Sequence, residues 1–172
     1  AANRRGAQDV RTLLSLDRGR TLRPFETMVA SSVDPLQIYV AVRQSGYWAE
    51  GFAVLTASPH PCAQRASHVL QSAVERMQAG GRCSELARDI ARAVHPLQLH
   101  PVTARVAGNA IGLGLEEHPM IAAGVEDRVE AGGVYSLRVG LSDGRDYAIV
   151  SAMVAVHEGG NDVLWSSAEP AR

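Results

Sequence analysis

Three consecutive side chains that can exchange protons, Glu116, Glu117 and His118, stand immediately before Pro119. Carboxylates and imidazoles are the groups that most often act as general acids and bases. The same triplet is also typical of an exposed loop, since charged side chains are usually solvated. Both interpretations stay open on residue type alone, and these three residues are candidate catalytic groups.

Other patterns that carry chemistry are missing from the sequence. None of the six histidines belongs to an HxH or HExxH metal-binding pattern. There is no GxSxG nucleophile elbow and no glycine loop of the kind that holds phosphates. The two cysteines, Cys62 and Cys83, form neither a disulfide framework nor a metal-binding pair. We therefore expect no cofactor.

Strands and helices alternate in the first half of the chain, and these elements must position the candidate residues. An amphipathic patch from Val10 to Leu16 suits a strand or a helix equally. Segments rich in valine, isoleucine and tyrosine then predict three strands, with turns at 34–35 and 44–46. Apolar residues at helical spacing predict two antiparallel helices, the second capped by Ser84. The predicted elements are strands 25–33, 36–42 and 47–56, a helix over 62–80, and a helix from residue 84 with an inner face that includes Ala91 and Val94.

The second half of the chain predicts strands alone. A glycine-punctuated strand over 106–115 contains Asn109, and a strongly alternating strand over 134–141 contains Arg138. A turn at 142–144 leads to further strands over 147–156 and 162–165. The fold class predicted for the whole chain is therefore α+β.

Composition restricts the partners and the location. At 172 residues, with 46% hydrophobic and 20% charged residues, the chain is long enough for one domain with a sizeable core. All basic residues are arginine, as a GC-rich, bacterial-type coding sequence would give. A net charge of -1 argues against nucleic acid and anionic membranes as partners. We expect a cytoplasmic protein, because no signal peptide or membrane span is recognisable. The predicted organisation is an arginine-rich segment over 1–24 and a domain over 25–172.

Five motifs occur in an order that is known from one protein family. They are GYWAE at 46–50, the helical stretch at 62–86, GNAIGLGLEEHP at 108–119, EAGGVYSLRVG at 130–140 and VAVHEGG at 154–160. In this order they resemble the carboxy-terminal part of the pita-bread metallopeptidases, such as methionine aminopeptidase, aminopeptidase P and prolidase, whose fold the metal-independent enzyme creatinase shares. The resemblance implies a pita-bread fold that is shortened at its amino-terminal side.

The resemblance also implies that the metal centre of this family has been lost. The family holds two divalent cations with two aspartates, one histidine and two glutamates. The first aspartate has no counterpart over 36–44, and the second falls on Glu50. The histidine falls on Asn109, the first glutamate on Arg138 and the second on about Ser151. A guanidinium among metal ligands would repel a dication, so no dinuclear site should form.

Two further expectations concern the positions that carry these replacements. Arg138 could occupy the vacated cation position and pair with Glu50, or both side chains could point into solvent. The cleft residues implied by the resemblance are Asn109, Arg138, Ser151 and Tyr47.

Three functions are compatible with the resemblance. The first is a non-hydrolytic pseudo-peptidase that uses its cleft for binding. The second is a metal-independent enzyme like creatinase, with Glu50 and the 116–118 triplet as acid–base groups. A metallo-aminopeptidase requires that the motif alignment be shifted. The expected partner is a small amino-acid-like ligand or a protein in the cleft, and the shortened fold predicts a homodimer or completion by another chain.

Overall fold

The computed structural model describes residues 6–25, 34–94 and 97–168. These residues have the predicted α+β architecture, with two antiparallel sheets and two helices among them. The helices are α1 (Pro61–Arg76) and α2 (Cys83–Ala93). The strands are β1 (Asp9–Ser15), β2 (Arg23–Pro24), β3 (Leu36–Gln44), β4 (Tyr47–Leu55), β5 (Gln98–Leu99), β6 (Gly108–Ala110), β7 (Glu117–Ile121), β8 (Val134–Ser142), β9 (Tyr147–His157) and β10 (Gly160–Ser166).

The first sheet has the order β2-β1-β3-β4. The predicted turn joins β3 to β4, with Ser45 and Gly46 both at positive φ, as a two-residue hairpin of the primed type requires. The amphipathic patch near residue 10 is the strand β1, which pairs with β3 from Asp9 to Ser15. Within the predicted segment 1–24, the described residues 9–15 and 23–24 are therefore strands of this sheet. The strand predicted over 25–33 lies outside the described residues except for Phe25.

The second sheet has the order β10-β9-β8-β6-β7, and β5 pairs with β8. The prediction of one strand over 106–115 was wrong in its length. Only Gly108–Ala110 is extended and paired, because Gly112 donates a hydrogen bond to the Gly114 carbonyl and folds the chain into a loop. After this loop β7 returns along β6, a strand that the sequence analysis did not predict.

Both predicted helices are present. α1 packs on β8 and β9 with a buried apolar face that includes Ala66, Val69, Leu70, Ala73 and Val74. Two details of α2 were wrong. Ser84 does not cap α2, because the helix already begins at Cys83, and the Ser84 side chain is buried. Ala91, predicted for the inner face, is exposed on the outer side of the helix. Among the described residues no helix is long and apolar enough to cross a membrane.

Polar side chains join the two sheets where β3 and β4 approach β9. Gln37 donates to the Ile149 carbonyl at 3.0 Å and accepts from the Ile149 amide at 2.7 Å. The Phe52 amide donates to the Ser151 hydroxyl at 2.7 Å. Because all four residues are buried, these bonds satisfy backbone groups that no strand partner reaches. The contact fixes β4, which contains Glu50, against the second sheet.

A buried histidine ties the loop after β1 to the second sheet. The Nε2 atom of His100 is 2.9 Å from the Gly19 carbonyl, and Nδ1 accepts a hydrogen bond from the Val102 amide at 3.0 Å. The ring is therefore neutral, with its proton on Nε2. Burial lowers the pKa of His100 below the ordinary imidazole value.

This lowered pKa predicts a loss of stability in mild acid. Since unfolded His100 takes up a proton at a higher pH than folded His100, protonation stabilises the unfolded chain. The contribution of His100 is complete above about pH 6.5 and is lost as the pH falls through the folded-state pKa. We expect H100N to flatten the dependence of unfolding free energy on pH between about 7 and 5 in urea titrations. H68N, at an exposed histidine on the outer side of α1, is the control and should keep the wild-type dependence.

Candidate functional site

The candidate site is built around one buried ion pair between the two sheets. Nη1 of Arg138 on β8 lies 3.3 Å from Oε1 of Glu50 on β4. Their side chains are only 9% and 2% exposed, respectively. The pairing predicted from the sequence is thereby confirmed, and the alternative that both side chains point into solvent was wrong. A pair this deep depends on its further hydrogen bonds, because both charges have been removed from water.

Asn109 and Tyr39 complete the hydrogen bonding of this pair. Nη2 of Arg138 donates to Oδ1 of Asn109 at 2.7 Å, and the Tyr39 hydroxyl donates to Oε2 of Glu50 at 2.7 Å. Nδ2 of Asn109 donates to the carbonyls of Ala110 and Leu115. Both carboxylate oxygens of Glu50 and the whole carboxamide are thus engaged. We call these four residues the Glu50–Arg138 cluster.

The environment keeps the Tyr39 hydroxyl protonated. Burial raises the pKa of Tyr39 far above its ordinary value, and the charge of Glu50 and the hydrogen bond to it raise it further. The positive charge of Arg138 opposes this effect but does not cancel it. Tyr39 therefore remains a hydrogen-bond donor to Glu50 across the physiological pH range.

Tyr39 was missed by the sequence analysis, although a signal for it exists. The two-residue turn fixes the register of the β3–β4 hairpin with Gln44 opposite Tyr47. Counting back along the hairpin places Ala41 opposite Glu50 and Tyr39 opposite Phe52. Tyr39 is thus the diagonal neighbour of Glu50 on the inner face, within reach of a long side chain.

Ser151 and Tyr47 were both predicted for the cleft, but neither belongs to the Glu50–Arg138 cluster. Ser151 is fully buried and lies opposite Arg138 in the β8–β9 ladder. Its hydroxyl accepts the Phe52 amide, so Ser151 holds β4 against β9. Tyr47 is 62% exposed and lies on the outer face of β4, opposite to the face of Glu50. The structure does not bring Tyr47 to the Glu50–Arg138 cluster.

The triplet at 116–118 does not converge on one point. Glu116 is exposed and lines a cavity next to Arg138. Oε1 of Glu117 accepts a hydrogen bond from the Gly114 amide, and the Glu117 carboxylate packs against Gly112. His118 is exposed on β7 and takes no part in the cavity lining. Of the three residues, Glu116 alone faces the same space as Arg138.

This space is a cavity of about 420 Å³, a volume typical of sites for small molecules. Its walls are mostly aliphatic and aromatic, and its two charged groups are Glu116 and Arg138. The lining residues are Leu13, Leu22, Tyr39, Phe52, Val102, Val106, Glu116, Met120 and Arg138. Because Glu50 neutralises Arg138, the cavity has one net negative charge, which lies on Glu116.

The donor set around Glu50 does not suit a pair of divalent cations. Glu50 is the one carboxylate of the cluster, and both of its oxygens already accept hydrogen bonds. Oδ1 of Asn109 is bonded to Arg138, and a guanidinium has no lone pair to offer a metal. Over residues 6–25, 34–94 and 97–168, no three His, Cys, Asp or Glu side chains are grouped so as to hold a metal ion.

Comparison with known proteins identifies the fold. No family model and no curated protein matches the sequence. Among solved structures, the dipeptidase PepE of Mycobacterium ulcerans is similar with a TM-score of 0.74 at 19% identity, over 99% of this chain and 47% of that protein. A prolidase from Thermococcus sibiricus gives 0.76 at 15% identity, over 94% and 47%. Methionine aminopeptidase from Thermotoga maritima gives 0.69 at 14% identity, over 90% and 72%.

These similarities show that the chain has the pita-bread fold of those peptidases, as the motif order predicted. The chain spans about half the length of the dipeptidase and the prolidase. At such identities the comparison concerns the path of the backbone, so the chemistry has to be argued from the side chains described above.

Proposed function

We propose that this chain is a pita-bread peptidase-like domain that has lost the dinuclear metal centre and uses its cleft to bind a ligand without hydrolysing it. The single observation that carries the proposal is the buried ion pair between Glu50 and Arg138. The resemblance implies metal ligands at positions 50 and 138. Here these positions hold Glu50 and Arg138, which are paired with each other. A divalent metal that binds Glu50 would have to displace Arg138. The guanidinium of Arg138 would then be buried without its counter-ion.

The cavity next to this pair supports a small amino-acid-like ligand with an apolar side chain. Leu13, Leu22 and Phe52 offer apolar surface, which favours an aliphatic or aromatic group. Glu116 provides the net negative charge at which an ammonium group would be stabilised. Arg138 has five N–H donors, of which the network uses two, so donors remain for a carboxylate or carbonyl.

A ligand screen with apolar amino acids and dipeptides tests this proposal. A ligand present at 100 times its Kd raises the unfolding free energy by about 2.7 kcal/mol, which a thermal-shift assay detects. NMR of the ligand after incubation then distinguishes the candidate functions. Unchanged ligand supports a binding domain, whereas conversion supports the metal-independent creatinase-like alternative. Failure to bind any member of the screen would contradict the ligand class.

The charge on Glu116 predicts how a variant will bind. We expect E116Q to weaken the binding of a ligand with an ammonium group about five- to tenfold, because the carboxylate is lost while the shape is kept. The measurement is isothermal titration calorimetry. The matched control is E158Q, at an exposed glutamate outside the cavity, which should bind as the wild type does. Equal affinity of E116Q and the wild type would exclude Glu116 from the site.

A further inference from the structure

The outer face of the first sheet is apolar across three strands. Side chains that point away from the Glu50–Arg138 cluster form three rows across the registered strands β1, β3 and β4. The rows are Val10, Val42 and Ala49; Thr12, Val40 and Gly51; and Leu14, Ile38 and Ala53. No member of these rows is charged, and all nine are partly or fully exposed. An apolar patch of this kind marks an interaction surface more often than free surface.

The rows that flank these three are also free of charged residues. Leu36 pairs with Leu55 at one end of the β3–β4 hairpin, and Gln44 pairs with Tyr47 at the other. Leu55 and Tyr47 are 55% and 62% exposed. We call the three rows and these flanking residues the outer apolar face.

The outer apolar face has a ridge and a trough side by side. β3 contributes the branched side chains Ile38, Val40 and Val42, whereas β4 contributes only Ala49, Gly51 and Ala53. The ring of Trp165 lies over Gly51, so close that a Cβ atom there would be 2.5 Å from it. Together with Met153 and Glu50, they border a groove of about 390 Å³, and Trp165 remains 42% exposed. The Glu50 side chain is only 2% exposed and its charge is paired with Arg138, so the groove presents no free charge.

We propose that a second copy of this chain packs on the outer apolar face, with the two copies related by a two-fold axis. In such a contact the same patch of both copies is in contact, so a charged residue near the axis would lie against the same charge of the other copy and repel it. A face without charge fits this requirement and gives a charged partner nothing to recognise. The ridge of β3 in one copy can enter the groove that Trp165 borders in the other.

The size of the face agrees with a weak, reversible dimer. Three strands about 4.8 Å apart and about 30 Å long present roughly 400 Å² per copy, and the side chains at the ends of the hairpin add to this area. Two copies would remove roughly 1,000 Å² from water, the lower limit for a specific interface. We therefore expect a dimer that forms at micromolar concentrations and dissociates on dilution.

Sedimentation equilibrium of the whole chain tests the proposal, with A49E as the main variant. We expect the wild type to shift from monomer to dimer between about 1 and about 500 µM. A49E places an unpaired charge in the trough and should weaken association at least tenfold. The matched control A91E introduces the same charge at an exposed alanine on α2 and should associate like the wild type.

A wild type that stays monomeric at every concentration would overturn the proposal and leave the face to another protein or segment. A dimer that A49E does not weaken would overturn it as well. Should A49E not fold, V42T gives the same test, because it keeps the shape of Val42 and replaces one methyl by a hydroxyl in a row whose other members, Val10 and Ala49, are apolar. The assay involves no ligand, so its outcome is independent of the proposed binding function.

Trp165 reports on the same contact in the unmodified protein. Its ring lies on the outer apolar face, whereas the other tryptophan, Trp48, is buried on the opposite side of β4. Fluorescence emission should therefore shift to shorter wavelength, and acrylamide quenching should fall, as the concentration rises. Emission and quenching that do not change across a dimerisation seen by sedimentation would place the contact elsewhere.

Discussion

Replacement of Arg138 by methionine lowers the free energy of unfolding by about 3–5 kcal/mol, because it leaves the Glu50 carboxylate buried without a counter-ion. The Arg138–Asn109 hydrogen bond is lost as well, and Asn109 then holds an unpaired oxygen in a fully buried position. In a domain of this size the midpoint of thermal unfolding falls on the order of 10 °C. Urea unfolding of both proteins measures the difference directly.

Two controls separate the ion pair from a general effect of losing arginine. R145M removes an exposed arginine and should change stability by less than about 0.5 kcal/mol. The double variant E50Q/R138M removes both charges and should recover much of the stability lost in R138M, since no buried charge is left alone. If R138M is as stable as the wild type, Arg138 does not hold the position described.

Substitution of Gly108 by alanine is expected to destabilise the protein by about 3 kcal/mol and to displace the site. A Cβ atom at this position would lie 2.5 Å from the Ser136 carbonyl oxygen and 3.0 Å from the Leu137 side chain. Because the first of these is backbone, β6 must move away from β8. Asn109 is the next residue and would move with it, which weakens the hydrogen bond to Arg138.

Thermal unfolding of G108A measures the stability change, and G159A is the matched control. The nearest atom to a Cβ at Gly159 is 3.8 Å away, so this alanine meets ordinary van der Waals space. G159A should be within about 0.5 kcal/mol of the wild type. Wild-type stability of G108A would show that β6 can shift without cost and that its close approach to β8 does not hold Asn109 in place.

The sequence was sufficient for the elements whose pattern is regular and long. α1 presents apolar residues at helical spacing, and β8 alternates between large apolar residues and small or polar ones. β9 is a nearly continuous apolar run that follows a turn signal, which is typical of a strand buried on both faces. The turn between β3 and β4 was equally clear, because Ser-Gly is a common turn dipeptide and Gly46 adopts a positive φ without steric cost. These elements are the ones that place Glu50 and Arg138 face to face.

The parts that could not be predicted depend on contacts distant in sequence. The segment after Ala110 contains apolar residues and glycines that suit a strand. In the structure the Gly114 amide donates to the Glu117 carboxylate, and this hydrogen bond holds the segment in a loop. The alternation of β7 is hidden by Pro119, so its return along β6 has no local signal. The course of this loop determines which groups Glu116, Glu117 and His118 contact. Residue type alone therefore could not settle their roles.

The central claim is that the Glu50–Arg138 cluster replaces a metal centre, and calorimetric titration with manganese, cobalt and zinc tests it most directly. Protein purified without chelators is titrated with each cation, and a dipeptide-cleavage assay is run on the same samples. We expect no stoichiometric metal binding and no cleavage, because a cation would have to displace Arg138 from a buried carboxylate. Two metal ions bound per chain, with hydrolysis of the dipeptide, would contradict it.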